Sequence, residues 1–187
     1  MQQLLSSWQS RSGSFTTSAY DFFRYKVDPV QWASVVWEQW SLPRHSFSLW
    51  LAMLGKLRIR DRLRFLSSDP ICPLCQNTDE SHAHLFFNSN WSSSLWSKAR
   101  FWLKLHNNMP SLNRATRVLQ NNKKGLQPRM KRVSLAILMY LIWEERYRRI
   151  FNNTAKSVEA IFRKFQILFY IILYFHEKNH LAYSVAS

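Results

Sequence analysis

Glycine is almost missing from this chain: three in 187 residues, at Gly13, Gly55 and Gly125. A Gly-rich phosphate cradle, a dinucleotide fingerprint and a nucleophile elbow each need glycines where the backbone turns sharply or approaches a ligand. None of the three can be built here. Few glycines and few turn clusters also argue against an all-β fold. Acid is scarce too, with 11 Asp and Glu against 26 Lys and Arg. Polymerase and nuclease centres hold magnesium with clustered carboxylates, and the close pairs Asp79-Glu80 and Glu144-Glu145 fit no such pattern. No enzyme activity and no small-molecule substrate are expected. The two cysteines, Cys72 and Cys75, are too few for a secreted disulfide scaffold. They read as a metal knuckle or a redox pair in a reducing compartment. No apolar run exceeds nine residues, the length of Ile167 to Phe175, which is too short for a bilayer, and the N-terminus shows no charged region leading into an apolar one. An intracellular location, nuclear or cytoplasmic, is expected, with no membrane partner.

Apolar material is plentiful. Hydrophobic residues make up 47% and aromatics 16%, including nine Trp and thirteen Phe, which is enough for a packed core. The net charge is +15. From Ser81 to Trp143 there is no Asp or Glu, while ten Lys and Arg fall in the same stretch. Such a surface attracts polyanions in a salt-dependent way, so RNA or DNA is the expected partner. The plainer alternative is a solvated surface that only aids solubility. Lys56, Arg58, Arg60, Arg62 and Arg64, with Lys123, Lys124, Arg129, Lys131 and Arg132, are the candidate nucleic-acid contacts. The tryptophans, at helical spacing, read as core before they read as stacking platforms.

Periodicity predicts a mainly α protein. Asp28-Pro29 starts a helix whose Trp32, Val35, Val36, Gln39 and Trp40 share a face, and Pro43 ends it. A second helix is expected over Ser46 to Leu54, with Phe47, Trp50, Leu51 and Leu54 inward and Gly55 as its C-terminal cap. A short basic third follows at Arg60 to Leu66. After a turn-rich knuckle over 70–90, Trp91 to Leu105 is helical again, and two longer helices, Val133 to Phe151 and Lys156 to His176, close the chain. The last either packs on its predecessor as an antiparallel pair or exposes an apolar surface for a partner or membrane. The expected organisation is an opening segment 1–30, a small helical domain 31–105 around a Cys/His zinc-knuckle loop with at most one minimal hairpin, a basic linker 106–132 broken by Pro110, Gly125 and Pro128, and a C-terminal helical extension 133–187.

Zinc takes four tetrahedral ligands, largely thiolate and imidazole, and Cys-x-x-Cys sets two thiolates on one tight turn. Cys72 and Cys75 have that spacing, Pro73 stiffens the turn, and His84 lies nine positions beyond Cys75 with His82 close by. The surrounding residues are Pro43, Phe47, Leu49, Trp50, Gly55, Leu57, Arg60-Asp61-Arg62-Leu63, Cys72-Pro73-Leu74-Cys75, Glu80, His84-Leu85-Phe86-Phe87 and Trp96. Upstream stands Gly13-Ser14-Phe15-Thr16-Thr17-Ser18-Ala19-Tyr20, and downstream Tyr140-Leu141-Ile142-Trp143-Glu144-Glu145-Arg146 with Arg149-Ile150-Phe151. In this order they resemble the zinc-binding domain near the C-terminus of plant non-LTR (LINE-type) retrotransposon reverse transcriptases.

That resemblance implies structural zinc and nucleic-acid association in support of a reverse transcriptase polypeptide encoded elsewhere in a longer chain. Two departures stand out. Ser89 occupies the place of the family's last zinc cysteine, and Ile59 the place of a Thr before the Arg-Asp pair. A neutral hydroxyl is a poor zinc ligand, so three outcomes are open: no metal, zinc completed by His82 or a carboxylate, or zinc completed by water. The reading is therefore a non-catalytic, retroelement-derived nucleic-acid-associated module. Its alternative is a decayed structural or protein-interaction remnant without metal.

Overall fold

The computed structural model describes residues 22–23, 28, 30–60, 70–107, 109–120 and 125–185. The chain divides into two compact units, Met1–Val30 and Gln31–Ser187. In the first, Phe22 and Phe23 are helical; the rest of the turn expected there lies outside the described residues. All that follows concerns the second.

The protein is mainly helical, with no strand longer than one bridge among the described residues. The helices are α1 (Ala33–Val36), α2 (Pro43–Met53), α3 (Asn90–Trp102), α4 (Leu112–Leu119), α5 (Leu126–Phe151) and α6 (Val158–Val185), with a π-helical turn over His84–Asn88 before α3. Helix α5 is the axis. From Val133 to Met139 every residue is buried, and Leu141, Ile142, Glu145 and Arg146 continue the burial. A helix apolar on all sides belongs inside a bundle, and α1, α2, α4, α6 and the π-helical turn all pack on α5. Helix α6 buries Ile161, Phe165 and Ile172 and also lies against α3.

Three expectations change. Pro43 does not end a helix; it opens α2 at the first helical position, where its missing N–H costs nothing. The preceding helix is correspondingly short, since Trp37 to Trp40 form turns. The buried face of α2 is His45, Ser46, Leu49 and Ala52, while Phe47 is half exposed. The expected apolar face was thus about one residue out of phase, because the buried side is set by two polar residues that hydropathy reads as outward. Gly55 does cap α2. It sits at φ 60°, with Lys56 N–H bonded to the Leu51 carbonyl at 2.8 Å and Gly55 N–H to that of Ala52 at 3.0 Å.

The expected linker 106–132 contains structure. Ser111 caps α4 by accepting the Arg114 N–H at 3.3 Å, and α4 buries Ala115, Thr116 and Leu119 against α5. Helix α5 begins at Leu126, seven residues before the expected start. Pro128 falls in its first turn, where the N–H groups have no helical partner in any case. The expected basic helix at 60–66 lies outside the described residues beyond Arg60. Residues 56–59 are irregular, bent at Leu57 with the Ile59 N–H bonded to the Leu57 carbonyl at 3.1 Å, and Leu57 and Ile59 are buried while Lys56 and Arg58 are exposed.

Candidate metal centre

The knuckle is a minimal hairpin. Ile71 and Asp79 form one antiparallel bridge, Cys72 N–H bonds the Thr78 carbonyl at 2.8 Å, and Glu80 N–H that of Pro70 at 2.8 Å. Between them the chain turns through Pro73-Leu74-Cys75. Gln76 completes the turn at φ 56°, its N–H bonded to the Cys72 carbonyl at 2.9 Å. The N–H groups of Leu74 and Cys75 point at the Cys72 sulfur.

His84 enters from the first residue of the π-helical turn, its backbone N–H held by Ser81 Oγ at 3.1 Å. The Cys72 and Cys75 Sγ atoms and a His84 ring nitrogen all lie within 4.8 Å of one another, and His84 Nε2 is 3.1 Å from Cys75 Sγ. A tetrahedral zinc would separate sulfur and nitrogen by about 3.6 Å. The three donors fit one metal ion. Burial pushes the Cys72 thiol up to about 11, against the lowering effect of the two N–H groups. A metal taken up here therefore displaces a proton that the metal-free site holds firmly.

Among the described residues, no fourth Cys, His, Asp or Glu joins this group. His82 lies elsewhere, on a cavity lined also by Met53, Phe86 and Leu112. Ser89 is fully buried and serves α3 as its N-cap. Its Oγ accepts the Ser92 N–H at 3.1 Å and donates to Ser92 Oγ at 3.0 Å, and Ser92 Oγ donates to the Leu85 carbonyl. Both roles of the hydroxyl are occupied by the helix start.

A brace from α5 holds the knuckle, and sequence reasoning missed its function. Arg146 gives a two-pronged pair to Glu80, Nε to Oε1 at 2.6 Å and Nη2 to Oε2 at 2.8 Å, with both side chains buried. The backbone N–H of Arg60 adds a third donor to Glu80 at 2.6 Å. One turn on, Arg149 Nη1 donates to the carbonyls of Pro73 and Leu74, at 3.1 and 2.8 Å, and its Nε to Glu145 at 2.9 Å. Glu145, fully buried, also accepts from Arg148 and from the Lys156 N–H. Arg149 further covers the Trp91 ring at 5.5 Å. The available signal was a pair of acids, and arginines at helical spacing from them, on the last turns of a helix whose middle is apolar.

The candidate nucleic-acid contacts scatter. Lys56 and Arg58 are exposed. Arg60 donates to the Ile71 carbonyl at 2.6 Å. Arg132 pairs with the buried Glu38 at 2.5 Å, and Arg129 lies 4.0 Å from the same carboxylate and over the Trp40 ring. Lys131 lines a cleft described below. Arg62, Arg64, Lys123 and Lys124 lie outside the described residues.

No described helix is long and apolar enough to cross a membrane. No curated protein and no solved structure matches the chain. Residues 15–96 match the family model described as zinc-binding in reverse transcriptase, so the segment that brings Cys72, Cys75 and His84 together is similar to that zinc-binding domain.

Proposed function

We propose that this chain is a non-catalytic, nucleic-acid-associated module of the kind found with retrotransposon reverse transcriptases of the plant non-LTR type, and that its zinc is held by Cys72, Cys75 and His84 alone among its side chains. The observation that carries this reading is the convergence of those three donors within the segment matched to the reverse-transcriptase zinc-binding family. The zinc would be structural, fixing the hairpin to the π-helical turn. With Ser89 engaged as a helix cap, the fourth place falls to water and binding is weaker than in a four-ligand site. The acid pairs support the absence of a reaction, because Glu80, Glu144 and Glu145 all serve ion pairs within the fold. The acid-free stretch supports association with RNA or DNA.

Two measurements test this. Zinc titration against a chromophoric chelator should give one site per chain and raise the melting temperature. Titration with RNA and with DNA at 50 and 200 mM salt should give affinity that falls steeply with salt. A metal-free structural remnant is the second reading, and the α5 brace favours it by holding the knuckle without metal. That reading prevails if zinc leaves the melting temperature unmoved and neither nucleic acid binds.

A further inference from the structure

An aromatic cluster centred on Trp102 borders a cleft that the metal site does not reach. The end of α3, the start of α5 and the middle of α6 enclose about 570 Å³. Trp102, Phe169, Tyr170 and Met130 line it, and Lys104 and Lys131 stand on its walls. Trp102 is mostly a core residue, meeting Phe162, Phe165, Phe169 and Tyr170 edge to face at 4.8 to 6.5 Å. Tyr170 differs. Its ring contacts Trp102 and Phe169 nearly at right angles, both at 5.8 Å, yet remains 57% exposed. It is a rigid aromatic surface fixed on two sides and open to solvent.

The charge around it has one sign. No Asp or Glu lines the cleft among the described residues. Two of the three walls come from the stretch between Ser81 and Trp143 that contains no acid at all. Lys104 follows the Leu103 C-cap of α3 with φ 52°, which fixes where its side chain leaves the backbone. An apolar floor with an open aromatic ring suits a base, and flanking ammonium groups suit the phosphates on either side of it. The volume falls within the range of small-ligand sites, enough for one nucleotide unit. Duplex DNA keeps its bases stacked and offers no free base face, so a duplex does not fit.

We propose that this cleft binds one nucleotide of a single-stranded nucleic acid, with its base on Tyr170 and the neighbouring phosphates on Lys104 and Lys131. The inference rests on the nucleic-acid reading above and gives it a location. Within the Trp102 cluster, Phe165 is enclosed, whereas Tyr170 is displayed.

The test uses the full chain and a fluorescent dT or U oligonucleotide, titrated over a range of salt. Tyr170→Ala should weaken binding roughly tenfold at every salt concentration, since base stacking is largely insensitive to salt. Lys104→Glu combined with Lys131→Glu should weaken it further and flatten the slope of log affinity against log salt by about 1.4, at roughly 0.7 per phosphate contact on a single strand. Arg163→Glu, an exposed charge reversal outside the cleft, should leave most of the affinity in place. Circular dichroism of each variant separates lost binding from lost fold, and Tyr170→Phe should rescue binding by restoring the ring. If the wild-type chain binds but Tyr170→Ala and the lysine pair bind equally well, the cleft is wrong and the broader reading stands. If a duplex of equal length competes as strongly as the single strand, base stacking in this cleft is also wrong. Absence of binding by the wild-type chain overturns both.

Discussion

Ser89 and His45 show how one buried polar side chain can set a property of the whole protein. Ser89 caps α3 from a fully buried position. Replacing it by Cys should have effects of opposite sign in the two metal states. Without metal, loss of the cap destabilises by about 1 kcal/mol. With zinc, the added thiolate restores a fourth ligand and the protein gains stability and tight metal. Melting temperatures of both proteins, with chelator and with zinc, check this; equal zinc affinity in the two would refute it. The sequence disclosed Ser89 only as a gap in a ligand pattern. Its role as a cap depends on where α3 starts, and hydropathy does not fix a boundary that closely.

His45 is fully buried against the Tyr140 ring, at 4.8 Å, and neither ring nitrogen has a hydrogen-bond partner in the protein. Burial, with Arg44 beside it, holds its pKa down to about 4, with Glu144 opposing and Lys164 assisting. Its folded pKa lies below the ordinary 6.5, so its contribution is complete above pH 6.5 and is lost as the pH falls towards 4. The full effect is on the order of 3 kcal/mol. Urea unfolding at pH 7 and pH 4.5 should show a smaller loss for His45→Phe than for the wild type. Parallel losses would mean that His45 is not the responsive group. Sequence spacing gave no hint of this residue, since a lone histidine on an amphipathic helix carries no signal of its depth.

At the scale of elements, the link between α5 and the knuckle decides how firm the metal site is. Arg146 and Glu80 are both buried, so removing one partner leaves an uncompensated charge. Arg146→Ala should cost about 3 to 5 kcal/mol and weaken zinc binding as well, because the Glu80 N–H bond to Pro70 closes the hairpin that holds Cys72. Replacing both partners, as Glu80→Gln with Arg146→Met, should cost less than Arg146→Ala alone. Denaturant titration reads the stability and competition with a chelator reads the metal; a cost under about 1 kcal/mol for Arg146→Ala would exclude the brace. The two closing helices were legible because Val133, Ile137 and Leu141, and Ile161, Phe165 and Ile172, repeat at helical spacing and do form core. Helix α4 was not legible. Its apolar residues are few and lie between Pro110 and Gly125, so turn formers at both ends suggested a linker where Ser111 and α5 supply a cap and a floor.

For the molecule as a whole, charge is partitioned by sequence position and by depth. Most acid near the core is spent on internal pairs: Glu38 with Arg132, Glu80 with Arg146, Glu145 with Arg148 and Arg149. The cations left at the surface, among them Lys56, Arg58, Arg114 and Arg117, set the outward field. Binding to heparin or to a nucleic acid should therefore weaken strongly between 50 and 200 mM salt, and Arg114→Ala should weaken it more than Arg132→Ala, although each removes one charge. Retention on a heparin column over a salt gradient measures the difference, and equal losses would contradict the division. Net charge was legible from composition. Which cations remain outside was not, because the pairing of Arg129 and Arg132 with Glu38 spans more than ninety residues.

The span of the α5 brace also bears on synthesis. Glu80 and Arg146 are 66 residues apart, and Pro73 and Arg149 are 76. At about 5 to 20 residues per second, the two thiols leave the ribosome roughly 4 to 15 seconds before the arginines that hold their loop. During that interval Cys72 and Cys75 are a bare dithiol in a short turn. Early capture of zinc by the nascent chain would give that turn a fixed shape before α5 exists to impose one.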